Sequence, residues 1–507
     1  MSDPILLHPN DNVVVLTTRG NIGDDPLNCG NTLQNIIPTG HKIARCDIPK
    51  GEHILKFGQF IAIATQDIAT GQHVHVHNCQ FAQTAQDYEI GADLDIANAA
   101  VPAPTGATFN GYARADGQVG TRNYIALIAT VNCSATVIRK AAFELESSGM
   151  LDRYENVDGV VAFAHGSGCG MASDGRGFDI LDRVLWGHAT HPNVGATIFV
   201  GLGCEVMQIA RMQTKFGKTG GERFRALTIQ ESGGTRTTID QIKAHVCEIL
   251  PDVNTAKRSK QSMSKLRVAL QCGGSDGFSS ITANPALGIA SDLIVAEGGA
   301  AILSETPEIY GAEQLFLRRA ASNDVAQQLI SQIKWWETYA AQNGGSMDNN
   351  PSPGNKQGGI TTILEKSLGA AAKAGSTPLT AVYDYAEKIS GAGFVFMDTP
   401  GYDPVSVTGQ IAGGAQIVVF TTGRGSAFGS KPAPTIKLAT SDRLFAQMHD
   451  DMDLNAGDVI SNGVSIHDKG REIFDAIRAT ASGQLTKSEM LGLGDNEFVP
   501  WPIGAVM

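Results

Sequence analysis

Residues 124–130, YIALIAT, form a short apolar run that leads directly into NCS at 132–134. The same arrangement recurs at 157–163, VDGVVAF, before HGSGCG at 165–170, and at 196–201, ATIFVG, which ends in GLGCE at 201–205. Apolar runs of this length bounded by turn residues read as buried strands, and their alternation with helix-like segments implies parallel strands with crossover helices. Ligands in such sheets bind beyond the carboxyl ends of the strands. If the three strands are neighbours, Cys133, Cys169 and Cys204 share one rim.

Upstream, short β-like runs at 12–17, 53–57, 60–64 and 72–77 are separated by turn signals, so residues 1–95 are expected to form a small β domain. The uncharged, Ala- and Pro-rich stretch NAAVPAPTGAT at 98–108 closes a linker spanning 96–108. A first α/β domain then covers 109–250, and the polar stretch 251–264 reads as a second linker. A second α/β domain fills 265–507, with strands expected at 266–270, 291–295, 301–304, 393–397 and 416–421 and a helical stretch over 312–341. The segment 347–359, MDNNPSPGNKQGG, is expected to lack regular structure and to act as a lid-like loop. The fold class is therefore α/β: a small amino-terminal β domain and a large body of mostly parallel sheets in two lobes.

With 51 acidic against 39 basic residues the net charge is -12, which disfavours nucleic acid and anionic membrane as partners. The opening lacks a charged leader with an apolar core, and no apolar run reaches about 18 residues, so a cytoplasmic protein is expected. Eight cysteines in 507 residues are too sparse for a disulfide scaffold.

Residues 71–78, GQHVHVHN, carry the sharpest chemical signal. On a strand, His73, His75 and His77 share one face, and neighbouring imidazoles start about 6.7 Å apart at Cα. Two of them then reach one ion at about 2.0–2.1 Å. The expected metal ligands are His75 and His77 with one or more of Cys133, Cys169 and Cys204, because thiolates at glycine turns suit a soft or borderline metal. Three of these cysteines could equally hold an iron-sulfur cluster, but the lack of a close C-x-x-C pair ranks a mononuclear Fe(II) site first, with Mn(II) or another divalent ion as the alternative. Cys272 has a similar placement after an apolar run.

His165 is a candidate base or ligand, and Asp276 in CGGSDG a candidate acid. Arg122 and Asn123 in GQVGTRN, Asn355 and Lys356 in SPGNKQGG, and Arg424 in TTGRG are cations or amides in glycine-rich loops, suited to a carboxylate or phosphate. The glycine spacing at Gly423, Gly425 and Gly429 does not match a dinucleotide fingerprint, and no phosphate-binding GxxxxGK[ST] loop occurs.

GHKIARCDI at 40–48, GQHVHVHN, GQVGTRN, GLGCE, CGGSDGFSSITANP at 272–285, NPSPGNKQGGI at 350–360, EKSLG at 365–369 and TTGRG together resemble the altronate and galactarate dehydratases. The resemblance implies an amino-terminal SAF-type (β-clip) domain and iron-dependent loss of water from a small-molecule sugar acid, giving a 2-keto-3-deoxy acid. A homodimer or higher homo-oligomer is expected. His165 or Lys356 would then be the base, Arg122 and Arg424 the carboxylate clamps. The triple histidine resembles the altronate branch, whereas Gln271 and Ala370 resemble the galactarate branch. Ser167 and the run Ser426, Ala427, Phe428 stand where both branches usually carry tyrosines. The alternatives are a sulfolactate sulfo-lyase-like C–S lyase, an NAD(P)-binding oxidoreductase and a non-catalytic sugar-acid sensor.

Overall fold

The computed structural model describes residues 4–83, 87–217 and 221–504. In the amino-terminal domain, two three-stranded antiparallel sheets lie together. One is built from Val13–Val15, Lys42–Ala44 and His73–Val74, the other from His53–Lys56, Gln59–Ala64 and Cys79–Gln80. Their inward residues, among them Val13, Ala44, Ile54, Ile61 and Val74, close a small core.

The strand expected over 72–77 is only His73–Val74. Asn78 ends it: its carboxamide accepts from His75 N at 2.9 Å and donates to His73 O at 2.8 Å, which curls the chain before a longer ladder can form. Such local side-chain bonds offer the backbone an alternative to the sheet.

Residues 124–228 form a parallel sheet in the order Gly159–Phe163, Tyr124–Ala129, Val194–Gly201, Phe224–Thr228. All three strands read from the apolar runs are present and adjacent; Phe224–Thr228 is an additional edge strand. Ile125, Leu127 and Ala129 pack on one face and Tyr124, Ala126 and Ile128 on the other. Burial on both sides is why these strands read as continuous apolar runs rather than alternating ones.

The carboxyl-terminal body holds a seven-stranded sheet in which every pairing is parallel: Leu379–Tyr383, Gly393–Met397, Ala300–Leu303, Arg267–Cys272, Ile417–Thr422, Thr435–Ala439, Leu454–Asn455. From Arg267–Cys272 the chain passes to Ala300–Leu303 on one side and returns later to Ile417–Thr422 on the other, so a switch point lies beside Arg267–Cys272, where CGGSDG and TTGRG emerge. The strand expected at 291–295 is instead part of the helix Ala283–Ala296. Ala283, Ala286, Leu287, Ala290 and Ile294 are buried at helical spacing, and the apolar run is too long for a strand.

The stretch expected to be a second linker contains the strand Arg258–Ser262, which pairs antiparallel with Thr108–Ala113 and ties the two α/β bodies together. Its side chains face outward in part, which explains its polarity. The segment 347–359 is not irregular throughout: Ser352 and Asn355 form a reciprocal cap on the short helix Pro353–Gln357. Among the described residues no helix is long and apolar enough to cross a membrane.

Candidate active site

The amino-terminal domain meets the switch point of the large sheet at a seam made by backbone. Gly277 N, in the CGGSDG turn, donates to Gly358 O at 2.7 Å, and a Cβ on Gly277 would lie 2.0 Å from Gly40 O. Only glycine permits so close an approach. Beneath this seam Lys42 Nζ donates to Glu365 at 2.8 Å and to Gly359 O at 2.7 Å, while Lys56 Nζ donates to the other Glu365 oxygen at 2.8 Å.

Four imidazoles gather on the seam. His41 Nε2 lies 3.0 Å from Gln357 O and His75 Nε2 lies 2.8 Å from Lys356 O. Because a carbonyl oxygen only accepts, each Nε2 carries the proton and each Nδ1 presents a lone pair. His41 Nδ1 lies 3.0 Å from His73 Nε2. Ring centroids are 5.1 Å apart for His41 and His73, 5.0 Å for His41 and His75, and 5.4 Å for His73 and His77. Burial, reinforced by the neighbouring imidazoles, pushes His73 down to about 3. Burial likewise brings His75 to about 4 despite its bond to Lys356, so both rings are neutral at physiological pH.

One pair in this donor set has the spacing of two ligands on a divalent ion. Two ligands each about 2.1 Å from one ion and at right angles stand about 3.0 Å apart, and ligating histidines commonly give their second N–H to a backbone carbonyl. His41 Nδ1 and His73 Nε2 have that spacing. No three nitrogens of these rings lie within 4.8 Å of one another, and none of the rings forms such a group with Cys133, Cys169 or Cys204. The single ion expected to join His75 and His77 to the glycine-turn sulfurs is therefore not assembled. His41 joins this cluster although no expectation from the sequence singled it out, whereas His73 lies on the triple-histidine strand.

The remaining expected residues divide by what they touch. Arg424 is exposed at the seam, its guanidinium 3.5 Å from Gln357 Oε1, and Lys356 is half-buried beside it in sequence. Asp276 is half-buried, and its Oδ1 accepts from Ser279 N at 2.9 Å, Phe278 N at 3.1 Å and Thr440 Oγ1 at 3.2 Å, bonds that shape the CGGSDG turn. Asn355 donates to Ser275 O at 2.8 Å and holds the same turn against the Pro353–Gln357 helix.

Arg122 and Asn123, expected to meet a substrate carboxylate, are instead buried inside the protein. Arg122 is 1% exposed, pairs with Glu489 at 2.6 Å and donates to Thr480 O and Gln484 O. Asn123 donates to Asn156 O and Val253 O. Both belong to joints inside the protein and offer nothing to a substrate. His165 has both nitrogens engaged, Nε2 to Ala129 O at 2.9 Å and Nδ1 to Ser167 N at 3.2 Å, and burial brings it to about 4. It clips a loop and is not a free base.

Cys133, Cys169 and Cys204 are exposed on the rim of the four-stranded sheet, whereas Cys272 is buried. Lys373 Nζ lies 2.9 Å from Cys272 Sγ, and Cys272, Glu305 and Glu308 form the one group of three potential ligands within 4.8 Å among the described residues.

Residues 2–82 match the altronate/galactarate dehydratase SAF domain, 111–254 the second domain of D-galactarate dehydratase/altronate hydrolase, and 263–506 the D-galactarate/altronate dehydratase carboxyl-terminal family. The chain is 34% identical to altronate dehydratase of Bacillus subtilis, covering 96% of this chain and 97% of that one. It is 33% identical to galactarate dehydratase (L-threo-forming) of Escherichia coli over 98% and 97% of the two chains. Identity is 29% to the β subunit of (2R)-sulfolactate sulfo-lyase of Chromohalobacter salexigens, over 78% of this chain and 97% of that subunit. By these matches the chain belongs to the altronate/galactarate dehydratase family of sugar-acid hydro-lyases.

Proposed function

We propose that the chain removes water from an altronate- or galactarate-like acid at the seam between the amino-terminal domain and the carboxyl-terminal sheet, leaving a 2-keto-3-deoxy acid. The observation that carries this reading is the cluster of neutral imidazoles beside Lys356 and Arg424, at the carboxyl ends of a parallel sheet. Loss of water from a 2,3-dihydroxy acid requires removal of the C2 proton and protonation of the departing C3 hydroxyl.

Arg424 is the clamp for the substrate carboxylate, since a guanidinium presents two parallel donors to it. Lys356 is the candidate base for the C2 proton; the backbone bonds of His41 and His75 to its own helix fix where that side chain starts. A divalent ion of the Fe(II) or Mn(II) type would be held by the His41 and His73 pair and would supply several kcal/mol of stabilisation to the developing enediolate charge. Asp276 shapes the CGGSDG turn, and Asn355 holds that turn against the Pro353–Gln357 helix.

The test is a panel of aldonic and aldaric acids assayed for 2-keto acid with added Fe(II), beside sulfolactate assayed for sulfite. Keto-acid release from a sugar acid is the expected result; sulfite release alone, or binding without turnover on any acid, overturns it. Arg424→Ala is expected to raise KM about 10- to 100-fold, the worth of one charged hydrogen-bonded contact, with the melting temperature unchanged because the side chain is exposed. An unaltered KM for every acid turned over removes Arg424 from the site.

A further inference from the structure

We propose that Cys133, Cys169 and Cys204 are the three thiolate ligands of an iron-sulfur cluster seated on the rim of the four-stranded sheet, a centre separate from the histidine seam. The three residues follow three adjacent strands: Gly159–Phe163 leads to Cys169, the central Tyr124–Ala129 to Cys133, and Val194–Gly201 to Cys204.

The turns are locked to one another around Gly168. Asn132 N donates to Ser167 O at 2.9 Å, while Val206 N and Met207 N both donate to Gly168 O, at 3.1 and 3.2 Å. Each cysteine therefore stands within three residues of a bond to this one two-residue stretch. Gly168 has φ +97°, and a Cβ there would lie 2.1 Å from Thr130 O, so the 167–170 turn is pressed against the start of the helix that carries Cys133.

Geometry separates a cluster from a single ion. Thiolates that share one ion must converge, whereas in a cubane they stand on different irons and lie farther apart. Cys133, Cys169 and Cys204 share a rim and do not form a group with all three sulfurs within 4.8 Å, so one ion held by all three is not assembled. All three are exposed, so assembly from solvent iron and sulfide is open to them.

The surroundings suit an anionic cluster. Cys133 is the second residue of the fifteen-residue helix Asn132–Glu146, whose amino-terminal end carries the positive pole of the helix dipole. Gln230 Nε2 lies 3.7 Å from Cys204 Sγ, the amide-to-sulfur bond by which proteins tune such centres. Cys169 also lines a cavity of about 560 Å³ with Asn132, His165 and Ser167. On assembly the three thiols lose their protons, and a cubane of about four irons keeps one iron without a protein thiolate.

The full chain should be purified without oxygen, reconstituted with equal amounts of ferrous and ferric iron and with sulfide, and desalted. Expected are about four iron and four acid-labile sulfide per chain and a broad visible charge-transfer band that bleaches in air. Cys133→Ser, Cys169→Ser and Cys204→Ser should each lose more than half of the sulfide, while Cys247→Ser, an exposed thiol elsewhere, keeps all of it. The wild type and Cys247→Ser decide the matter even if a rim variant fails to fold. Iron without labile sulfide, or equal loss in Cys247→Ser, overturns the proposal. His41→Ala is expected to keep the visible band, so failure of the seam as the dehydratase site and failure of the cluster are read separately.

Discussion

Glu365→Gln is expected to destabilise the protein by about 3–5 kcal/mol, the usual cost of leaving buried charge uncompensated. The Glu365, Lys42 and Lys56 side chains are each no more than 2% exposed. Glu365 also accepts from Thr361 N and Oγ1 at 2.9 and 2.8 Å. A glutamine of the same shape would turn an amide toward two ammonium groups that water cannot reach. Since Glu365 belongs to the carboxyl-terminal body and both lysines to the amino-terminal domain, the loss falls on the docking of that domain. Calorimetry should show the earliest unfolding transition moving down, with new protease cleavage before residue 108. Replacing all three residues by methionine is expected to recover most of the loss, because an apolar filling needs no counter-charge.

The pH dependence of this tie follows from Glu365. Burial alone would raise its carboxyl, but the charges and hydrogen bonds of Lys42 and Lys56 outweigh burial and hold it far below its ordinary 4.5. A depressed carboxyl contributes stability that is fully present above the unfolded value and is lost as pH falls through the folded one. The difference between wild type and Glu365→Gln should therefore persist from neutrality to about pH 5 and shrink only in stronger acid. A wild-type transition no higher than that of Glu365→Gln at neutral pH would show that the triad does not hold the domains together.

Much of the fold is legible in the chain because burial on both faces leaves a plain mark. YIALIAT, VDGVVAF and ATIFVG are strands, and neighbouring ones. The mark fails where length competes with composition, as at 291–295, and where one polar side chain diverts the backbone, as Asn78 does. The site was legible residue by residue but not as an assembly. His75 and Lys356 are 281 positions apart yet share a 2.8 Å bond, and His41 joins the cluster because Lys42–Ala44 pairs with His73–Val74. Nothing local to GHKIARCDI announces that pairing. Arg122 shows the converse: a glycine-flanked arginine resembles a carboxylate clamp until Glu489, 367 positions away, is found on it.

His41→Ala and His73→Ala are expected to lower turnover at least about 100-fold and to weaken retention of Mn(II), used as the probe ion, about 10- to 100-fold. His41 is the keystone because its two nitrogens face different parts of the chain: Nε2 binds Gln357 O of the carboxyl-terminal body, and Nδ1 faces His73. Removing the ring takes away both a ligand lone pair and the bond that orients the cluster toward Lys356. His77, exposed and linked to the others only through His73, should cost less when replaced. His165→Ala, whose ring is committed to Ala129 O at the end of the neighbouring strand and to Ser167 N in its own loop, should lower stability while Mn(II) retention holds. Mn(II) should be followed by its electron-spin signal after gel filtration, beside kcat and KM for whichever acid is turned over. A loss of Mn(II) in His165→Ala matched by full retention in His41→Ala and His73→Ala would move the metal, and the chemistry with it, from the seam to the cysteine rim.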